Sequence, residues 1–406
     1  MVLRSNSLSV PKWRGFNWRA GFALAFVIVA VWQPAARAQA GFATEATSVL
    51  MIDVGTGTTL LSKNPDAPVA PASLAKLMTA ERVFAALAEG RVNLGTPFKI
   101  SEYAWRTGGG PSGTSAMFAD LNDQVSAGNL LRGMIIQSGN DAAIAMAEGL
   151  AGSEADFVAD MNKRAAELGL AGSQFANATG LPLTATPTVE SAKVTMRDMV
   201  RLARHLQDAY PDKYGLFSEP DFEWNGIFQR NRNPVLSANL GVDGLQTGFT
   251  DASGYSAVIS ARRGNRRLVL AASGFKTIES RASGLRELIE WGFDAFVLRQ
   301  IAAQDTIVGM ADVFGGTAPT VTLMTAEAAS VLVPVDAGER LSAQLVYRGP
   351  LRAPVVAGTQ VGKLMVRLDN EVVREFPLVA GEAVVPGGMR ERAMGALKEL
   401  AFGWLR

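Results

Sequence analysis

The order of extended and helical patterns along most of this 406-residue chain restricts its fold more than any other feature. Two apolar runs, Ser48–Val54 and Thr58–Leu61, are split by a Gly-Thr-Gly turn and predict a β-hairpin. Extended patterns return at residues 242–250, 255–261 and 267–273. Helical patterns fall between and after these runs, so we expect an α+β domain in which helices flank an antiparallel sheet.

Helical spacing of apolar residues marks the segments between those strands. The first helix follows Pro71, contains Ser73 and Lys76 in its first turn, and ends at Gly90. Asp141 is predicted to cap a later helix. The further helical patterns cover residues 130–135, 141–150, 155–168 and 278–298.

The composition excludes several chemistries. The chain has no cysteine, which rules out disulfides, thiol nucleophiles and cysteine-ligated metals. A formal net charge of +1 and the lack of a long basic stripe argue against a nucleic-acid partner. The single histidine, His205, lies in an amphipathic helical pattern and is predicted to be a surface or boundary residue. A Ser-His-Asp triad is therefore not expected, and a hydrolase of this sequence needs a different general base.

Residues 1–40 have the pattern of an export signal. Four basic residues precede the apolar run Ala20–Trp32, which is shorter than the roughly 20 residues of a membrane span. Overlapping small-x-small sites follow at Ala36–Ala38 and Ala38–Ala40. We predict a cleaved signal peptide, with an uncleaved membrane anchor as the alternative. Either one sends the chain across a bacterial-type inner membrane to the cell-wall space.

The composition changes near residue 300. Short β-like runs separated by Gly, Pro and Asp turns predict a small all-β domain over residues 301–386, after a larger domain over residues 41–300. Residues 387–406 carry an apolar helical stripe opposite charged residues, so this tail either lies in a membrane interface or packs on its own domain or on a partner. The stripe consists of Met389, Ala393, Leu397, Leu400, Ala401 and Trp404.

Three short motifs follow one another along the larger domain: Ser73-Leu74-Ala75-Lys76, Ser138-Gly139-Asn140 and Gln246-Thr247-Gly248. Each is weak alone, since Ser-x-x-Lys also occurs at Ser9–Lys12 and Ser-x-Asn at Ser62–Asn64. Their order and placement are informative, because they fall at a helix start, at a break between helices and on a predicted edge strand.

The first two motifs contain the parts of a nucleophile without histidine. A serine hydroxyl attacks when a neighbour takes its proton, and a lysine whose pKa is lowered by burial or nearby charge can do so. Ser73 and Lys76, one helical turn apart, form such a pair, and the helix N-terminus adds backbone N–H groups beside a reacting carbonyl. Ser138 is expected to relay a proton, and Asn140 to hydrogen-bond both a substrate amide and the lysine. The strand with Thr247 and Gly248 could align an extended peptide.

Longer stretches around these motifs resemble the low-molecular-mass penicillin-binding proteins of the D-alanyl-D-alanine carboxypeptidase family. The resemblance extends over nearly all of the chain after the signal, including the β domain and the tail. The matching stretches are Pro71–Thr79, Leu131–Ala142, Phe175–Pro182, Asn231–Asn233 and Val242–Gly248.

The resemblance implies a serine β-lactamase/D,D-transpeptidase-like fold and a two-step acyl-enzyme mechanism without a metal or other cofactor. Ser73 would attack the penultimate D-alanine of a peptidoglycan pentapeptide stem, with Lys76 as general base and Ser138 and Asn140 as relay and positioning groups. The backbone N–H groups of Ser73 and Phe249 would form the oxyanion hole. β-Lactams would acylate the same serine. The family's tail helix would hold the protein on the periplasmic face of the inner membrane.

The sequence departs from the family at Gln246, where the family has lysine to meet the substrate's terminal carboxylate. Replacing a charge-assisted hydrogen bond by a neutral one should cost on the order of 1 to 2 kcal/mol, or roughly fivefold to thirtyfold in rate. Arg232 could hold the carboxylate instead, or could be a structural or solvated arginine. Ala75, where threonine is usual, should be tolerated.

Two function classes therefore stay open at this point. One is a periplasmic D,D-carboxypeptidase, with endopeptidase action on cross-links as a variant. The other is a catalytically impaired family member that binds peptidoglycan stems or partners as a scaffold or regulator. A β-lactamase is less consistent with the sequence, since no Glu-x-x-Leu-Asn segment lies between the second and third motifs and a β domain follows.

Overall fold

The computed structural model of the chain describes residues 42–182 and 192–402, and side chains as far as residue 397. The predicted signal peptide and Trp404 lie outside these residues. The described residues form two units, one ending at Phe296 and the other beginning at Val297, so the boundary falls within the strand Phe296–Ala302, which is described with the second unit.

The first unit has nine strands and eight helices among its described residues. The strands are β1 (Ser48–Asp53), β2 (Thr59–Lys63), β3 (Pro97–Lys99), β4 (Gln124–Ser126), β5 (Asp221–Trp224), β6 (Ile227–Arg230), β7 (Val242–Thr250), β8 (Gly254–Arg263) and β9 (Arg266–Phe275). The helices are α1 (Lys76–Ala88), α2 (Glu102–Gly108), α3 (Ala127–Ile136), α4 (Asn140–Ala151), α5 (Glu154–Glu167), α6 (Met196–Ala209), α7 (Pro211–Tyr214) and α8 (Ile278–Asp294).

Five of these strands form one antiparallel sheet in the order β2-β1-β9-β8-β7. Successive side chains of β1 point to opposite faces of the sheet. Leu50 and Ile52 join the core that contains α1 and α6, whereas Met51 faces Gly292 of α8. The predicted hairpin, the three later strands, and the α+β class with flanking helices are therefore confirmed. β7 is an edge strand within the described part of the sheet, as predicted.

Two local predictions in this unit are wrong. Asp141 does not cap α4, which begins one residue earlier; its buried carboxylate instead accepts backbone N–H groups of Met117 and Ala119 from a distant loop, and of Ala142. The last helix also ends sooner than predicted, because residues 296–298 belong to a strand. The apolar run Phe296-Val-Leu298 fits either pattern locally, and only pairing with a remote strand decides it.

The second unit is all-β apart from one short 3-10 turn and a final helix. Its strands are β10 (Phe296–Ala302), β11 (Ile307–Phe314), β12 (Thr320–Thr325), β13 (Ala329–Pro334), β14 (Leu341–Tyr347), β15 (Leu351–Arg352), β16 (Gln360–Leu368) and β17 (Glu371–Ala380), and its helix is α9 (Met389–Phe402). Six strands form a sheet in the order β14-β16-β17-β12-β11-β15, and β10 pairs with β13. The small β domain and the tail helix are both present.

Candidate active site

Ser73 lies in a 3-10 turn, Ala72–Ala75, that runs directly into α1. The sequence predicted one continuous α-helical turn, but a 3-10 turn also places residues three apart on the same side. Lys76 Nζ donates to Ser73 Oγ at 3.0 Å and to the carbonyl oxygen of Thr179 at 2.9 Å. The predicted nucleophile and base are therefore in direct contact.

Lys76 is almost completely buried, with 1% of its surface exposed. Burial, and to a smaller extent the positive charge of Arg232, lower its pKa from 10.5 to about 7, and the carboxylate of Asp141 opposes this shift. A substantial fraction of this amine is therefore neutral near pH 7. A neutral amine with its lone pair beside Ser73 Oγ can accept the hydroxyl proton.

Glycine allows the chain to approach Ser73 closely on two sides. Gly180 has φ +78°, and a Cβ there would overlap the carbonyl oxygen of Ala72. A Cβ on Gly248 of β7 would lie 3.4 Å from the Ser73 nitrogen and 2.8 Å from Ser256 Oγ. Any larger residue at these positions would push the neighbouring segment away from the serine.

Ser138 and Asn140 lie where α3 gives way to α4. Ser138 has a positive φ of 62°, a conformation that costs non-glycine residues about 1–3 kcal/mol and is concentrated at functional sites. Its Oγ is buried and has no hydrogen-bond partner among the described residues, and the same holds for Asn140 Oδ1. Asn140 Nδ2 donates to Thr114 Oγ1 at 2.9 Å rather than to the lysine. Two buried acceptors at this break therefore lack a hydrogen-bond partner in the described structure.

The third motif lies on β7 as predicted, with Gln246 and Thr247 buried and Phe249 48% exposed. Gln246 Oε1 accepts the backbone N–H of Thr247 at 2.9 Å. The amide therefore binds its own strand, and it forms no hydrogen bond with Ser138 in the described structure. Gln246 supplies no charge to this site.

Two arginines supply positive charge near the site. Arg232 lies close enough to Lys76 to lower its pKa, and its own guanidinium is partly desolvated. Arg281 of α8 is only 8% exposed; its Nη1 donates to the Ser256 carbonyl oxygen at 3.5 Å, and its Nε has no partner in the described structure. Burial lowers the pKa of Arg281, and the charge of Arg232 lowers it further. Neither arginine has a carboxylate partner within the described residues.

An aromatic pair connects Arg281 with the exposed end of β7. Phe249 packs on Tyr255 with ring centroids 4.3 Å apart, and the guanidinium of Arg281 lies 5.3 Å from the Tyr255 ring centroid. Tyr255 thus helps to hold the guanidinium beside the strand that carries the third motif.

His205 lies apart from this chemistry. Its Nε2 is 3.2 Å from Oε1 of Glu81, a fully buried carboxylate of α1 that also pairs with Arg164. The prediction of a boundary histidine is therefore confirmed.

Four residues of this site were not predicted from the sequence: Arg281, Thr114, Thr179 and Ser256. One signal was available for Arg281: it lies four and seven residues before Leu285 and Leu288, so an arginine occupies the apolar face of α8. Thr179 acts through its carbonyl oxygen, and the other two residues contact the site only through tertiary packing. Thr179 lies in the matching stretch Phe175–Pro182, but that pattern assigns it no role, and no sequence pattern marks Thr114 or Ser256.

Comparison with known proteins gives consistent results for both units. A sequence model described as D-alanyl-D-alanine carboxypeptidase matches residues 33–277. A second, described as the C-terminal domain of penicillin-binding protein 5, matches residues 296–386. The chain is 36% identical to D-alanyl-D-alanine carboxypeptidase DacC of Escherichia coli, over 85% of each chain. It is 32% identical to DacA of the same organism, over 89% of each.

Solved structures show the same relationship. Penicillin-binding protein 5 of Haemophilus influenzae aligns with a TM-score of 0.70 and 32% identity, over 85% of this chain and 99% of that one. D-alanyl-D-alanine carboxypeptidase DacD of Francisella tularensis aligns with a TM-score of 0.74 and 26% identity, over 87% and 97%. Penicillin-binding protein D2 of Listeria monocytogenes, in its ampicillin-bound form, aligns with a TM-score of 0.54 and 29% identity, over 63% and 100%.

Proposed function

Because the chain belongs to the D-alanyl-D-alanine carboxypeptidase family, we propose that it removes the terminal D-alanine from peptidoglycan pentapeptide stems through an acyl-enzyme on Ser73. The observation that carries the proposal is the 3.0 Å hydrogen bond between Ser73 Oγ and a buried Lys76 whose pKa is lowered to about 7. A nucleophile in contact with a partly neutral amine fits acyl transfer better than a scaffold role, since burying a lysine is costly.

The reaction has two steps. Ser73 Oγ attacks the carbonyl carbon of the penultimate D-alanine and passes its proton to Lys76 Nζ. The bond to the terminal D-alanine then breaks as the proton held by Lys76 passes through Ser138 to the leaving amine, which leaves Lys76 neutral again. Water next hydrolyses the ester, with Lys76 again as the base. The backbone N–H groups of Ser73 and Phe249 would stabilise the oxyanion, and Asn140 Oδ1 would accept a hydrogen bond from the substrate amide.

Arg232 and Arg281 are proposed to bind the substrate's terminal carboxylate. Neither guanidinium has a carboxylate partner in the described structure; that of Arg281 is buried, that of Arg232 is partly desolvated, and Gln246 supplies no charge. Arginine matches a carboxylate through paired hydrogen bonds. The pair would offset much of the rate loss expected from Gln246, whose unpaired Nε2 could donate to the same ligand. The active enzyme is therefore favoured over the impaired scaffold.

We also propose that β-lactams acylate Ser73. The Listeria relative has been solved in an ampicillin-bound form, and β-lactams present a reactive carbonyl to the same kind of serine. Acylation alone does not establish turnover, because an acyl-enzyme can form and then fail to hydrolyse.

The localisation is proposed to be the periplasm, at the outer face of the inner membrane. The first 40 residues have the export pattern, and α9 exposes Met389, Met394 and Leu397. An exposed apolar helical face suits a membrane interface. Within residues 42–182 and 192–402, no helix combines the length and the hydropathy that a membrane span needs.

The test is release of free D-alanine from a purified pentapeptide stem. We expect steady release by the wild-type protein and a loss of at least about 10³-fold in Ser73→Ala. Ser62→Ala is the matched control, since Ser62 is an exposed serine that also begins a Ser-x-Asn sequence. Folded wild-type protein that labels with penicillin yet releases no D-alanine would refute the carboxypeptidase and favour the scaffold.

A further inference from the structure

A cavity of about 610 Å³ lies beside α6 in the first unit, and none of its lining residues belongs to the candidate active site. Its lining includes the apolar residues Leu50 and Ile52 of β1, both nearly buried, and Leu168 at the end of α5. It also includes Arg197, Arg201 and Arg204. The volume falls within the range of small-molecule sites.

The three arginines form a single stripe along α6, because they are spaced by four and three residues. Arg197 is already occupied, since it binds Asp66 through two hydrogen bonds of 2.6 and 2.9 Å. Arg201 donates to the carbonyl oxygen of Gly169 and lies 4.0 Å from Asp198, so its charge is only partly compensated.

Arg204 differs from both neighbours. It has no hydrogen bond or ion pair with any residue in the described ranges, and its Nε is shielded from solvent. Buried guanidinium N–H groups nearly always have a partner, so an unpaired one beside a cavity points to a ligand acceptor. Asp208 is the one carboxylate among the described lining residues, and it forms no ion pair with Arg204 there.

We propose that this cavity binds a phosphate-bearing ligand, whose anionic group meets Arg204 and Arg201 and whose apolar part lies on the wall formed by Leu50, Ile52 and Leu168. Phosphate fits better than carboxylate because it presents more acceptor oxygens to guanidiniums that approach from separate turns of one helix. A free phosphate compound and a phospholipid headgroup share this chemistry, and the apolar wall favours the lipid. The site is separate from the proposed catalytic reaction.

Isothermal titration calorimetry of the purified protein tests the site with three probes: inorganic phosphate, dihexanoylphosphatidylglycerol below its micellar concentration, and the zwitterionic dihexanoylphosphatidylcholine. We expect saturable binding of the anionic probes that weakens with salt, and little binding of the zwitterionic one. Tighter binding of the anionic lipid than of phosphate identifies a headgroup site, whereas equal binding identifies a free phosphate site. No saturable binding of either anion, or equal binding of the two lipids, overturns the proposal.

Arg204→Gln should weaken anion binding by about tenfold or more, and Arg204→Lys by less, because lysine keeps the charge but loses the planar fork. Arg286→Gln is the matched control, an exposed helical arginine of the same unit that should leave binding unchanged. D-alanine release and the melting temperature check that each variant is folded. The proposal is overturned if folded Arg204→Gln binds the anionic probes with wild-type affinity. It is also overturned if Arg286→Gln loses as much affinity as Arg204→Gln.

Discussion

The two halves of the candidate active site are built differently. On the acylation side, Ser73 and Lys76 are neighbours in sequence, bind each other, and are fixed by the carbonyl oxygen of Thr179. On the carboxylate side, Gln246 binds its own backbone, and positive charge comes from Arg232 and Arg281. Proton transfer needs one geometry, whereas a carboxylate can be held by any well-placed cation. The carboxylate side can therefore tolerate different residues, whereas the acylation side cannot.

The largest expected effect is on the acylation side. Lys76→Met should slow acylation by penicillin at least about 10³-fold, because no other described group contacts Ser73 Oγ as a base. The rate of Ser73 labelling measures this, with the exposed Lys99→Met as control. Labelling at a wild-type rate would mean that another group takes the proton.

The same substitution tests whether burying Lys76 lowers the stability of the folded protein. Its folded pKa of about 7 lies below the unfolded 10.5, so its cost to stability is fully present below about pH 7 and is relieved as the pH rises toward 10.5. Relative to wild type, Lys76→Met should therefore gain more stability at about pH 6 than at about pH 9, by more than about 1 kcal/mol. Urea unfolding at both pH values measures the difference. If the stability difference between Lys76→Met and wild type is the same at both pH values, the lowered pKa of Lys76 is contradicted.

A smaller effect is expected on the carboxylate side. Gln246→Lys should raise D-alanine turnover by less than about fivefold, because two arginines already supply charge, and by more in an Arg281→Gln background. Steady-state kinetics of Gln246→Lys, Arg281→Gln and the double variant give the coupling energy between positions 246 and 281. Unchanged or lower turnover would show a pocket built around glutamine, and a gain of thirtyfold in the otherwise wild-type protein would show that the arginines do not hold the carboxylate.

The smallest expected effect is a shift in the pH dependence of acylation. It tests whether Arg232 on the carboxylate side influences Lys76 on the acylation side. The rate of acylation should rise with pH and reach half its maximum near pH 7, as Lys76 loses its proton. Because Arg232 lowers the pKa of Lys76, Arg232→Gln should move the midpoint to higher pH. Acylation rates across this range measure it, and Arg286→Gln should not move the midpoint. A shift to lower pH would contradict the assigned cause.

The sequence predicted the parts of the molecule that depend on local pattern. The 48–61 hairpin, the Ser73–Lys76 spacing and the strand Leu341–Tyr347 are each specified by residues close together in the chain. Asp141 and Arg281 were misread or missed because their roles arise from distant segments. Asp141 binds the loop at Met117, and Arg281 reaches the site through the packing of α8 on β8. Such contacts leave no periodicity in the sequence.

The most direct test of the arginine-held carboxylate compares two substrates, a pentapeptide stem ending in D-alanine and the same stem ending in D-alaninamide. The wild-type protein should prefer the free carboxylate, by about tenfold to a hundredfold in kcat/KM, as expected for charged hydrogen bonds. Arg232→Gln/Arg281→Gln should lose most of this preference, through slower cleavage of the carboxylate substrate alone, whereas Arg286→Gln should keep it. A double variant that retains the full preference would contradict the account.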